Sequence, residues 1–110
     1  AEVDPSLPLP QLKAEVLPDS KGGFNLHVTT ANFRFTPELA GQAPRQGEGH
    51  AHVFVNGTKV ARLYGNWAYL GADNFHSGDN LVEVTLNAND HAEWVKGGEH
   101  IGASVKVRLP

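Results

Sequence analysis

Apolar and polar positions alternate along most of this chain in short runs, the period of strands buried on one face. In residues 24–30, Phe24, Leu26 and Val28 fall on one side, and Asn25 and His27 on the other. Residues 11–17 repeat the pattern with Leu12, Ala14 and Val16. Residues 31–37 stay extended, Phe33 and Phe35 sharing a face until Pro37 stops the strand. In residues 80–87, Val82, Val84 and Leu86 oppose Leu81, Glu83 and Thr85, and a closing strand at 103–109 turns Val105, Val107 and Leu109 inward. Turn composition separates these runs: Pro18-Asp19-Ser20-Lys21-Gly22-Gly23, a polar loop over 38–48 with one helical turn near 37–40, a loop over 71–79, and Gly97-Gly98. Residues 1–10 hold three of the seven prolines and read as an extended arm. Roughly seven short strands and no convincing helix predict an all-β fold, an antiparallel β-sandwich of immunoglobulin-like, Greek-key type, with residues 1–110 as one domain.

The strongest local signal is residues 49–64, GHAHVFVNGTKVARLY. Asn56-Gly57 favours a two-residue type I′ turn, because both central residues need positive φ. With that loop Val55 opposes Thr58, which sets His52 against Ala61 and His50 against Leu63. The histidine face then carries Phe54, Ala61 and Leu63 with Lys59 near the turn. The other face carries Ala51, Val53, Val55, Val60, Arg62 and Tyr64. Both faces are largely apolar, so the pattern leaves open which one meets the core. After the hairpin, residues 65–70 form an aromatic-rich corner with Trp67 and Tyr69.

Composition narrows the chemistry. The formal net charge is −3 and the nine basic residues are scattered, which argues against a nucleic-acid partner. No apolar run approaches the roughly 20 residues of a membrane span. There is no Cys and no Met, so a metal site here is built on imidazole, carboxylate or water. The start Ala1-Glu2-Val3 fits a mature, exported chain cut after a signal peptide, and fits a trimmed chain equally well.

Six histidines are present. Glu48, His50 and His52 sit two apart on a strand and so share a face. His91 follows the strand at 80–87, in Asn89-Asp90-His91. Loops from distant strands gather at one end of a Greek-key sandwich, so His50, His52 and His91 can meet. Three neutral imidazoles with one open position suit Cu(II) or Zn(II), and Cu(II) ranks higher in intrinsic affinity. The competing reading is two solvated polar residues on a strand and a loop histidine capping a turn. Glu48, Asp90 and Asn89 are candidates to fix the tautomers of the imidazoles, and Arg62 and Tyr64 to hydrogen-bond to Glu48 or Asp90. His27, His76 and His100 read as surface or loop residues. No nucleophile elbow and no Gly-rich phosphate loop is present, which points to a binding protein and not an enzyme.

The runs GEGHAHVFVNGTKVARLYG and VEVTLNANDH resemble a group of small exported bacterial β-sandwich domains with a GHxH strand, an NG hairpin and a late NDH loop. That resemblance implies copper handling in the periplasm, with His50, His52 and His91 as ligands. It also implies exchange of copper, as Cu(II) or Cu(I), with a donor or acceptor protein. It differs from the blue-copper proteins, which need a Cys and usually a Met. The alternative is an immunoglobulin-like interaction domain. In that case Trp67, Tyr69 and Trp94 form a face for a protein or glycan, and the histidines are incidental.

Overall fold

The computed structural model describes all residues, Ala1–Pro110. Ten strands follow in order: β1 (Gln11–Pro18), β2 (Phe24–Ala31), β3 (Arg34–Phe35), β4 (Glu48–Val55), β5 (Thr58–Leu63), β6 (Trp67–Leu70), β7 (Gly78–Asn87), β8 (Val95–Lys96), β9 (Glu99–His100) and β10 (Gly102–Leu109). The expected runs are all strands. The additional three are β6 and the β8–β9 pair, which Gly97-Gly98 joins. In β6, exposed Trp67 and Tyr69 alternate with half-buried Ala68 and buried Leu70, a strand pattern too short to stand out beside the aromatic composition. The expected helical turn is a single 3₁₀ turn at Pro37–Leu39.

Two sheets make an antiparallel sandwich. One is ordered β1-β2-β6; the other is β10-β7-β4, with β3 and β5 both on the far edge of β4. Two short pairings are parallel: β3 with β4, and a single bridge between Glu2 and Val95. Leu26, Val28 and Leu70 from the first sheet meet Val53, Val55, Val82, Val84 and Leu86 from the second, all buried in one core cluster. The N-terminal arm is docked: Val3 N–H donates to Val95 O, Val95 N–H donates to Ala1 O, and Val3 joins the core.

Pairing between β4 and β7 settles which face of the hairpin is inside. Ala51, Val53 and Val55 stand opposite Leu86, Val84 and Val82 and face the core. His50 and His52, opposite Asn87 and Thr85, therefore lie on the outer face of the second sheet. The β4–β5 register departs from the expected one. Val55 opposes Thr58 and Phe54 opposes Lys59, but Val53 then opposes Ala61, because Val60 is an extra residue in a β-bulge. His52 is consequently opposite Arg62, not Ala61, and Ala51, not His50, is opposite Leu63. The bulge moves Arg62 and Tyr64 onto the histidine face and sends Leu63 to the core.

Candidate metal centre

Gly49 opens the approach of β4 to β7. Its φ is +148°, and a Cβ there would lie 1.8 Å from the Asn87 carbonyl oxygen, so only glycine lets the two backbones close at this rung. His50 and His52 follow on the outer face. His50 is fully buried, and His52 keeps 9% of its surface exposed.

The third imidazole comes from the turn after β7. Ala88 N–H donates to Ala92 O, and His91 N–H donates to Ala88 O at 2.9 Å. These bonds close a three-residue hairpin loop, whose last position is left-handed and usually glycine. His91 holds that position with φ 74°. Asp90 Oδ1 accepts from Ala92 N–H and stiffens the loop. The result is a T-shaped contact between His91 and His50, ring centroids 5.1 Å apart. His91 itself is exposed, so the cluster opens to solvent on its side.

The three residues each offer a nitrogen, and these atoms lie within 4.8 Å of one another. The Nε2 atoms of His50 and His52 are 3.1 Å apart. Two nitrogens bound to one ion at about 2.0–2.1 Å are separated by roughly 2.9–3.4 Å between square and tetrahedral angles, so this pair fits one cation. Nδ1 of His50 is buried with no hydrogen-bond partner, so the chain's own groups do not complete the polar contacts of this ring. Burial, then the neighbouring His52, Arg62, His91 and Lys59, push the His50 pKa down to about 4. Burial, then Lys59, Arg62 and His91, lower that of His52, with Glu93 opposing them. Both rings are therefore neutral at physiological pH, the form that binds metal.

No protein-family model, curated protein or solved structure matches this chain.

The other candidate residues take distinct places. Glu48 Oε2 accepts from Arg34 Nη2 at 3.3 Å, and its main-chain oxygen accepts from Trp94 Nε1; it makes no hydrogen bond to a histidine. Asn89 is fully buried, with Nδ2 donating to Thr36 Oγ1 at 3.0 Å, and so anchors the turn to the loop after β3. The Tyr64 ring packs against His50 at 5.1 Å. Arg62 stands across from His52 and makes no ion pair.

Two buried residues escaped the sequence reading. Thr85 and Asn87 flank the histidines on β7: Thr85 Oγ1 donates to Asn87 Oδ1 at 3.0 Å, and Asn87 Nδ2 donates to His91 O at 3.3 Å. The available signal was an Asn at the end of a strand whose apolar positions were already accounted for.

No second donor cluster forms. His27 pairs with Glu15 at 3.1 Å and stacks on Trp67, His76 Nδ1 donates to Ser77 O, and His100 lies 3.8 Å from Glu93. The aromatic face of the alternative reading is incomplete. Trp94 is 3% exposed and belongs to the core, because its indole N–H is held by the Glu48 carbonyl; only Trp67 and Tyr69 remain on the surface. No helix is long and apolar enough to cross a membrane.

Proposed function

We propose that this protein binds one copper ion through His50, His52 and His91 and serves in copper transfer or buffering, as an exported or periplasmic protein. The observation that carries the reading is the meeting of three ring nitrogens within 4.8 Å, two from one strand and one from a distant turn. Neutral imidazoles without thiolate or thioether suit Cu(II) and Zn(II), and the usual affinity order favours copper. The periplasmic setting rests on the resemblance of the GHxH, NG and NDH runs.

The work would be ligand exchange, with no bond made in a substrate. His50 and His52 are rigid on β4, so they would keep their grip, while solvent-exposed His91 is the ligand a donor or acceptor protein would reach first. The fold's part is to hold His50 and His52 neutral and all three rings close together.

Titration with Cu(II), followed by electron paramagnetic resonance, tests the assignment. One equivalent should bind with a nitrogen-rich signal that is lost in His52→Ala. The same signal in His52→Ala would overturn it. A parallel Zn(II) titration with competition ranks the two metals.

A further inference from the structure

Lys59 and Arg62 would point to opposite faces of a regular strand, since they are three residues apart. The bulge at Val60 places both on the histidine face, Lys59 opposite Phe54 and Arg62 directly opposite His52. Both side chains are exposed, and neither is in an ion pair or a side-chain hydrogen bond. No carboxylate pairs with either cation. Glu93 lies 3.8 Å from His100. Glu48 Oε2 accepts from Arg34 while its Oε1 is buried without a partner, and Asp90 Oδ1 accepts from the Ala92 amide.

Two unpaired cations beside three imidazoles oppose a bare dication, and the bulge is what brings them there. Resting on the copper reading above, we infer that the ion takes a carboxylate anion as its remaining ligand, steered and held by Arg62 with Lys59 behind it. A guanidinium presents parallel donors that match a carboxylate, and its charge offsets the cost of placing an anion on a half-buried face. The carboxylate comes either from a small free acid or from an Asp or Glu side chain of a partner protein. Water-accessible His91 marks the open side from which either would approach.

Copper-loaded protein should be titrated with acetate and, separately, with a short glutamate-rich peptide at matched carboxylate concentration, following the Cu(II) resonance spectrum. A spectral shift with acetate identifies a free acid as sufficient; a shift with the peptide alone identifies a side chain in a polypeptide. In either case Arg62→Gln should weaken the response about tenfold, the loss of one charge-assisted contact. Lys59→Gln/Arg62→Gln should weaken it further, while copper still binds. No shift with either probe, or equal anion affinity in wild type and both variants, overturns the inference while leaving the copper site standing. Failure of the wild type to take up copper removes both.

Discussion

Asn87 stands directly opposite His50 on the neighbouring strand, and its side-chain amide donates to the main-chain carbonyl of His91 at 3.3 Å. One side chain thus ties the strand that carries two imidazoles to the turn that carries the third. Asn87→Ala removes that tie and strips the Thr85 hydroxyl of its acceptor. Leaving buried polar groups unpaired costs about 1–3 kcal/mol, so urea unfolding should show a loss of that order. Copper affinity should fall as well, because His91 is no longer held over His50. A destabilised variant with unchanged affinity would show that the loop holds His91 without help.

His91 occupies a left-handed position at which glycine is the usual residue. Such strain in a non-glycine residue costs on the order of 1–3 kcal/mol and persists where something else requires that side chain. His91→Gly should therefore raise the stability of the metal-free protein by about 1 kcal/mol. The same substitution should cut copper affinity by at least about a hundredfold, since even groups outside a metal's ligand set are worth 10–100-fold. Opposite signs in thermal unfolding and in metal titration are the expected result. Loss of stability in the metal-free protein would mean that the imidazole also packs.

The buried imidazole gives stability a pH dependence. Burial lowers the His50 pKa to about 4 in the folded chain, against an ordinary value near 6.5. The unfolded chain therefore binds a proton that the folded one refuses. Stability of the metal-free protein should be full above about pH 6.5 and decline as pH falls towards about 4, by up to roughly 3 kcal/mol from this ring. His52 shifts in the same direction and adds to the decline. Urea unfolding at several pH values between these limits measures it, and His50→Gln should flatten the curve.

Strand alternation in β1, β2 and β10 was legible because each turns one face inward, so the period of two is written directly in residues such as Phe24, Leu26 and Val28, whereas β4 is covered on both faces and was read from its Asn56-Gly57 turn. The meeting of the three histidines was legible for a related reason: His50 and His52 share a parity, and Asn89-Asp90-His91 reads as a turn. The bulge at Val60 was not. Val60 is half-buried and apolar, like a normal strand residue, so nothing in its identity says that it is unpaired. That single extra residue reversed the faces assigned to Ala61, Arg62, Leu63 and Tyr64. Asn87 and Asn89 were hidden differently. Asn89 stood out beside His91, but its partner is the distant Thr36; Asn87 bonds locally to Thr85 and His91, yet its place opposite His50 is set by strand pairing that no local pattern specifies.

Gly49 and Gly57 separate two reasons for a glycine. Gly57 sits in the hairpin turn with φ +83° and open space around its Cα, whereas a Cβ on Gly49 would fall 1.8 Å from the Asn87 carbonyl oxygen. Gly57→Ala meets only the backbone penalty of a left-handed alanine, about 1–2 kcal/mol, and should leave copper binding intact. Gly49→Ala drives one backbone into another, and neither strand can yield without parting β4 from β7 at the His50–Asn87 rung. A loss of about 3 kcal/mol or more is expected, at the severe end for a single substitution. Where the variant still folds, its copper affinity should fall too, because the displaced rung is the one that carries His50 and touches the His91 loop. Denaturant midpoints and copper titrations on the two variants make the comparison. Equal losses for both would mean that φ alone, and not the close approach of β7, sets the residue at position 49.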